Sequence, residues 1–288
     1  MNGVALWRRL ADFPAAPPPA FPAAADPAQP DPAMVEELAY RDRLARATEA
    51  SATCWFDVPG GRPVLAPIER AGITRLVESI SGSTAGDKID AMIETMAHAP
   101  DGDVVEIGAW RGRSAALLVL LARHWNIGKV LCVDPWLAAA CDQGSEPAGR
   151  PAAPERMDAD WAHRIFQINL APIAGGALNF IRAPSSVAAQ AYVPGLVVET
   201  EAFGRTAYEG AIAYLHVDGN HAYEQALIDA RAWTPHVKPG GWIVFDDYAR
   251  PSGDGPRRVG DEFLVAEAHR ISLSFVIGAA LFVRLKTA

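Results

Sequence analysis

Three aspartates follow two of the apolar runs that we predict to be β-strands. Asp218 comes directly after Ile212 to Val217, and Asp246 and Asp247 come directly after Trp242 to Phe245. The carboxyl ends of parallel strands share one rim of a sheet, so neighbouring strands would bring these side chains together. Three carboxylates repel one another unless protons or a cation offset their charge. The spacing therefore predicts a site for a divalent metal such as Mg²⁺, Mn²⁺ or Ca²⁺.

Capping is the alternative role for these acids. Asp218 would then cap a helix that begins at Tyr223, and Asp246 and Asp247 would cap a loop. His221 has the same two interpretations: it is a candidate catalytic base beside the metal, or a capping or solvated side chain. The remaining histidines show no ligand spacing and are assigned no role: His98, His124, His163, His216, His236 and His269.

A glycine turn follows another predicted strand, Asp103 to Ile107. Gly108 and Gly112 would let the backbone turn tightly and approach a ligand closely. The helix that starts just beyond them, around Ser114, would offer free amides and its positive dipole end to a carboxylate. A plain strand-to-helix turn is the alternative interpretation.

The next predicted strand, Lys129 to Val133, also ends in an acid. Asp134 lies 28 residues after Glu106, and a carboxylate in this position can accept hydrogen bonds from both hydroxyls of a ribose. The glycine spacing is Gly-x-x-x-Gly rather than the Gly-x-Gly-x-x-Gly of dinucleotide sites. The pattern therefore favours a nucleoside without phosphates over a nicotinamide dinucleotide.

From residue 103 onward, short apolar runs alternate with helical stretches. This alternation is typical of a mainly parallel sheet with helices on both faces, so we predict an α/β, doubly wound domain over 101–288. Besides the strands already given, we predict a strand over Leu178 to Arg182 and a closing hairpin over Ser272 to Ile277 and Leu281 to Leu285. The predicted helices are Arg113 to His124, Met157 to Asn169, Ser186 to Tyr192 and Tyr223 to Trp233.

Two regions precede this domain. Residues 13–33 hold eight of the 23 prolines and eight alanines, which predicts a flexible arm over 1–33. A helical extension is predicted over 34–100, because Asp31-Pro32 is typical of a helix start and Asp87 to Ala97 has apolar residues at helical spacing.

Two long segments inside the domain interrupt the alternation of strands and helices. Ala138 to Arg156 and Val193 to Gly210 are predicted to be lids or substrate loops, with Trp136 and Tyr208 covering the acceptor.

Composition excludes several partners. The net charge of −8 over 288 residues argues against a nucleic-acid partner, which needs a basic face. The longest apolar run is too short for a membrane span, and the first residues lack the apolar core of a secretion signal. Three cysteines without Cys-x-x-Cys spacing suit a reducing compartment. We therefore expect a cytoplasmic protein, with homo-oligomer formation left open.

With both groups of residues in view, 103–248 resembles the class I S-adenosylmethionine-dependent methyltransferases. Val217-Asp-Gly-Asn-His-Ala-Tyr-Glu224 and Lys238-Pro-Gly-Gly-Trp-Ile-Val-Phe-Asp-Asp-Tyr248 are similar to the branch of macrocin-type O-methyltransferases, which act on natural-product sugars. The resemblance implies a Rossmann-like, seven-stranded sheet with an antiparallel last strand. One departure concerns Asn220, where the family often has a second acid.

The resemblance also implies roles for particular residues. The cofactor S-adenosylmethionine would be bound by Glu106, Gly108, Gly112, Ser114, Asp134 and Ser185, and Mg²⁺ by Asp218, Asp246 and Asp247. Such a metal lowers the pKa of a substrate hydroxyl, and Asp218 or His221 would then accept its proton. The predicted function is metal-assisted O-methylation of a small hydroxylated molecule. The alternatives are a metal-free methyltransferase acting on nitrogen or carbon, a non-catalytic binding domain and, less favoured, a nicotinamide oxidoreductase.

Overall fold

A computed structural model describes residues 31–52, 60–137, 159–249 and 254–288. Cys54, Cys141, residues 1–30 of the predicted arm (1–33) and the segment Ala138 to Arg156 lie outside the described residues. Three helices precede the sheet: α1 (Pro32–Ala52), α2 (Pro67–Glu78) and α3 (Asp87–Ala97). The predicted start of α1 is confirmed, because Asp31 Oδ1 accepts a hydrogen bond from Ala33 N at 3.0 Å.

Seven strands form the main sheet, in the spatial order β3-β2-β1-β6-β7-β9-β8. β9 runs antiparallel to both β7 and β8, and the other pairs are parallel. The predicted fold class, with its antiparallel last strand, is therefore confirmed. The strands are β1 (Asp103–Ile107), β2 (Val130–Val133), β3 (Leu178–Ile181), β6 (Ile212–Val217), β7 (Val237–Phe245), β8 (Ile271–Ile277) and β9 (Ala280–Leu285).

Helices cover both faces of this sheet. On one face, α2, α3, α4 (Arg113–His124) and α5 (Ala159–Ala174) pack around a core that includes Val104 and Tyr214. On the other face, α6 (Ser185–Ala191), α7 (Tyr223–Trp233) and α8 (Gly255–Ala266) pack around a second core. Successive strand residues point to opposite faces. Glu106, two residues after Val104, therefore lies on the α3 side of the sheet.

The prediction of a lid or substrate loop over Val193 to Gly210 is wrong. It holds the two-stranded sheet of β4 (Val197–Thr200) and β5 (Gly204–Ala207). Asp103, the first residue of β1, accepts hydrogen bonds from Glu209 N at 3.1 Å and Gly210 N at 2.9 Å. The carboxyl group also accepts one from Tyr192 Oη at 2.6 Å. These bonds hold Glu209 and Gly210 at the amino end of β1, and no residue of the segment lies on the cavity described below.

The aromatic side chains predicted to cover the acceptor are buried in the fold. Tyr208 is 2% exposed and donates a hydrogen bond to Val130 O, and Trp136 is 1% exposed and packs against Phe166. Lys238 to Gly241 belongs to β7, where the register with β6 shifts between Ile212 and Tyr214. Among the described residues, no helix is long and apolar enough to cross a bilayer.

Candidate active site

A cavity of about 720 Å³ lies at the carboxyl ends of the parallel strands. Its wall combines the β1–α4 turn, the ends of β2 and β3, the loops after β6 and β7, and residues 81–84 before α3. This volume is in the range of sites for small molecules and cofactors. Seven of the predicted site residues lie on the wall: Gly108, Ser114, Asp134, Ser185, Asp218, His221 and Asp247.

The two glycines of the β1–α4 turn have different roles. Gly108 has φ +85°, and a Cβ there would lie 1.9 Å from Asp218 O, so the ends of β1 and β6 can approach only because Gly108 has no side chain. Gly112 also has φ +85°, but a Cβ there would face Phe166 and Leu170 of α5 at 3.1 to 3.2 Å. Gly112 is not on the cavity wall and packs against α5 at the start of α4; its predicted contact with the cofactor stays a prediction.

Asp134 links the end of β2 to the β1–α4 turn by hydrogen bonds. Its Oδ2 accepts a hydrogen bond from Trp110 N at 2.9 Å, and its Oδ1 accepts one from Trp136 N at 2.7 Å. Burial raises the pKa of Asp134, although these backbone donors oppose the shift. The carboxyl group is thus fixed on the cavity wall in the position predicted for the ribose contact.

A polar group missed by the sequence analysis lies beside Ser185. Asp229 on α7 accepts hydrogen bonds from Ser185 Oγ and, at 3.1 Å, from Gln225 Nε2. All three side chains lie on the cavity wall, and burial raises the pKa of Asp229. The one signal in the sequence is the four-residue spacing of Gln225 and Asp229, which places them on one side of a helix.

Another part of the cavity wall comes from residues 81–84, before α3. The sequence does not predict that these residues belong to the site. Arg111 Nη1 donates to Ser81 Oγ at 2.8 Å, and Arg113 Nη1 donates to Gly82 O at 2.7 Å. The start of α4 therefore holds residues 81–84 at the cavity. No spacing in the sequence could reveal these contacts, since they join residues about 30 positions apart.

Asp218, His221 and Asp247 converge on the cavity. His221 Nε2 lies 2.7 Å from Asp247 Oδ2, and one ligand atom from each of the three residues lies within 4.8 Å of the others. Burial and the neighbouring Asp246 carboxylate raise the pKa of Asp218 well above its usual range, while His216 and Lys88 oppose this shift. Capping by Asp218 is wrong, because Asn220 Oδ1 accepts the hydrogen bond from Ala222 N at the start of α7.

Glu106 and Asp246 are not on the wall of this cavity, and their predicted roles stay predictions. One ligand atom each from His216, Asp218 and Asp246 lies within 4.8 Å of the others. Glu106 and Asp246 lie on the α3 face of the sheet, where His216 Nδ1 is 3.0 Å from Glu106 Oε1 and His216 Nε2 is 3.3 Å from Asp246 Oδ2. Lys88 Nζ lies 2.6 Å from the same Asp246 oxygen. We call Glu106, His216, Asp246 and Lys88 the buried charge chain. Its members link three neighbouring strands to α3.

His216, which the sequence analysis left without a role, is the centre of this chain. Burial alone would lower its pKa, but hydrogen bonds to Asp246 and Glu106 raise it to about 10. The same contacts, together with Lys88, hold the pKa of Asp246 well below its usual range although burial opposes this. His216 is therefore a cation at neutral pH, placed between two carboxylates.

Comparison with known proteins places the chain in a family. A family model described as a methyltransferase domain matches residues 105–248, which is half of the chain. The protein therefore belongs to this family of methyltransferase domains. The match begins within β1 and ends just after Asp247, so it contains most of the cavity wall.

A curated relative from Streptomyces olivaceus is 26% identical over 165 residues. It is named 8-demethyl-8-(2,3-dimethoxy-alpha-L-rhamnosyl)-tetracenomycin-C 4′-O-methyltransferase. The alignment covers 57% of this chain and 59% of the relative, so it spans less than two thirds of the relative's length.

Two solved structures are among those similar to this chain. The apo structure of CalS11, a TDP-rhamnose 3′-O-methyltransferase, is 15% identical with a TM-score of 0.45, and the alignment covers 89% of this chain and 96% of CalS11. The O-methyltransferase NovP is 17% identical with a TM-score of 0.45, and the corresponding coverages are 90% and 100%.

Proposed function

We propose that this protein transfers a methyl group from S-adenosylmethionine to a hydroxyl group of a small natural product such as a sugar. One observation carries the proposal: a single cavity contains both the β1–α4 turn with Asp134 and the pair of His221 and Asp247. A donor site and a proton acceptor therefore face the same space. The relative named for O-methylation of a rhamnosyl group supports a sugar hydroxyl as the acceptor.

The residues on the wall fit S-adenosylmethionine. In the proposed complex, the Asp134 carboxylate accepts hydrogen bonds from the ribose hydroxyls, and the turn at Gly108 with Ser114 lies beside the methionine portion. Ser185, with Gln225 and Asp229 beside it, offers polar contacts to the adenine. When bound, the cofactor supplies an electrophilic methyl group, so the protein needs mainly to align a nucleophile and to remove its proton.

His221 is the base that the geometry favours. With Nε2–H donated to Asp247 Oδ2, the imidazole is held in the tautomer whose Nδ1 can accept a proton. The resulting positive charge is stabilised by the Asp247 carboxylate, as in other His–Asp pairs. Asp218, within 4.8 Å of both, is the second candidate, because its raised pKa makes it a better proton acceptor than an ordinary carboxylate.

A more specific form of this hypothesis adds a divalent metal bound by three aspartates. The side chains fit such a metal site only in part. Asp218 and Asp247 face the cavity, but Asp246 is engaged by Lys88 and His216. The predicted three-aspartate set is therefore not available as a set in this geometry. The proposed reaction is accordingly derived from the side chains of this chain alone.

A direct assay tests the function. The purified chain is incubated with S-adenosylmethionine and a panel of glycosides, phenols and amines, and product masses and S-adenosylhomocysteine release are measured. We expect methylation at oxygen in at least one hydroxylated acceptor. Methylation only at nitrogen or carbon would contradict the assignment of the acceptor atom. Failure to bind S-adenosylhomocysteine in calorimetry would contradict the cofactor assignment itself.

A further inference from the structure

Lys88 is a buried lysine whose ammonium group lies beside the buried carboxylate of Asp246. The carboxylate needs a positive charge nearby, but a lysine is rarely found in such a position. Lys88 is the second residue of α3, its side chain is 5% exposed, and Nζ lies 2.6 Å from Asp246 Oδ2. Lysine is seldom fully buried unless it is paired. Here the partner is one of the three aspartates that the sequence predicts to bind a divalent metal.

Both oxygens of Asp246 are already engaged. Oδ2 contacts Lys88 Nζ at 2.6 Å and His216 Nε2 at 3.3 Å, and Oδ1 accepts a hydrogen bond from Asp247 N at 2.7 Å. A magnesium ion would have to approach one of these oxygens to about 2.0 to 2.1 Å. At Oδ2 the ion would lie beside the ammonium group of Lys88, and the two positive charges would repel each other.

The backbone of Lys88 is closely packed. The turn between β8 and β9 packs directly on it: a Cβ added to Gly278 would lie 2.6 Å from Lys88 Cβ and 2.9 Å from its Cα and N. Gly278 has φ +57°, so a residue without a side chain lets the hairpin sit over the start of α3. The hairpin thus fixes the backbone of Lys88 at the start of α3, from which the side chain reaches Asp246.

We propose that Lys88 supplies, at Asp246, the positive charge that a divalent metal would otherwise supply, and that methyl transfer in this protein needs no divalent metal. The part of this inference that concerns methyl transfer rests on the proposed function. The part on metal binding does not: with Asp246 taken by Lys88, the oxygen ligands that remain are Asp218 and Asp247. The third group near them, His221, lies 2.7 Å from Asp247 and offers a ring nitrogen, which is not a ligand that Mg²⁺ prefers.

Manganese binding tests the proposal without any acceptor or cofactor. Full-length protein is treated with EDTA, desalted and titrated with Mn²⁺, and free Mn²⁺ is followed by electron paramagnetic resonance. We expect no stoichiometric binding by the wild-type protein. Lys88→Met, which keeps most of the length of the side chain and removes its charge, is expected to bind one Mn²⁺ per chain at least tenfold more tightly than wild type does. Lys129→Met, a change at an exposed lysine at the start of β2, is expected to behave as wild type.

Two results would overturn the proposal: stoichiometric Mn²⁺ binding by the wild-type protein, or a folded Lys88→Met variant that binds Mn²⁺ no better than wild type. If Lys88→Met does not fold, the wild-type chain decides the question, because methyl transfer should proceed equally well with EDTA and with added Mg²⁺. Activity lost in EDTA and restored by Mg²⁺ would contradict the proposal. Absence of methyl transfer under every condition would instead contradict the proposed function, and the Mn²⁺ titration would still stand.

Discussion

At the scale of single residues, Asp134 combines structural hydrogen bonds with a place on the cavity wall. It holds the backbone of Trp110 and Trp136 by hydrogen bonds and at the same time faces the cavity. Its position at the end of β2 was predictable from the sequence, because strand, acid and spacing are all local features. Its two backbone partners were not, since they depend on how the β1–α4 turn folds over β2.

Replacement of Asp134 by Ala should weaken binding of S-adenosylhomocysteine by about tenfold or more, because hydrogen bonds to a charged group contribute ~1.5 to 3 kcal/mol each. Isothermal titration calorimetry measures the change. Glu199→Ala, at an exposed position on β4, serves as the control and should bind as wild type does. A folded Asp134→Ala variant with unchanged affinity would refute the ribose contact.

His216 predicts a pH dependence of stability. Its pKa is about 10 in the folded protein and near 6.5 when unperturbed. Because the folded value is the higher one, the stabilisation is complete below pH 6.5 and is lost as the pH rises through 10. The difference in unfolding free energy between wild type and His216→Gln should therefore shrink over this range, by up to about 1 kcal/mol per pH unit.

Urea unfolding at a series of pH values measures this difference, with His124→Gln at an exposed position as the control. A difference that stays constant or grows with pH would show that His216 is not held as a cation. The sequence could not suggest this role. His216 faces Glu106 only because β6 pairs with β1 in this register, and strand order is not visible in local spacing.

At the scale of elements, prediction succeeded where the pattern is local. α3, β1, α4, β6 and α7 begin and end at the predicted residues, because apolar periodicity and glycine or proline boundaries define them. α8 was missed, since Gly255, Pro256 and Gly260 are typical of loops. Gly260 lies inside this helix for a tertiary reason: a Cβ there would lie 2.8 to 2.9 Å from Tyr248 and Leu281.

Two glycine substitutions with opposite expected effects on stability test how closely the ends of β1 and β6 pack. Gly108→Ala should destabilise the protein by roughly 3 kcal/mol or more, because its Cβ would overlap the backbone of Asp218 and its φ is positive. Gly72→Ala on α2, where a Cβ meets nothing within 4 Å, should stabilise by up to about 1 kcal/mol. Thermal unfolding compares them. Equal melting temperatures for the two variants would refute this account of the turn.

At the scale of the whole molecule, the fold class was predictable and the composition of the site was only partly so. The alternation of strands and helices gave the doubly wound sheet, and the acids at strand ends gave Asp134, Asp218 and Asp247 as cavity residues. Lys88 and Ser81 to Thr84 belong to the region that the sequence analysis treated as an extension. Their contacts with the sheet and with α4 join distant parts of the chain, which local patterns do not encode.

Deletion of residues 1–30 should leave the fold intact, because their composition offers no apolar periodicity to bury. We expect the melting temperature to change by less than about 2 °C and S-adenosylhomocysteine binding to stay the same. Circular dichroism and calorimetry on the truncated chain measure both. Loss of soluble protein or of binding would show that this segment supports the domain.

The anchoring of Val193 to Gly210 by Asp103 has a practical consequence. None of the residues of the β4–β5 hairpin lies on the cavity wall, and its turn carries the exposed Glu201. With the three native cysteines replaced, a fluorophore attached through Glu201→Cys would therefore report on unfolding from a position outside the cavity. The same turn is a suitable point for inserting a tag or for tethering the protein to a solid support.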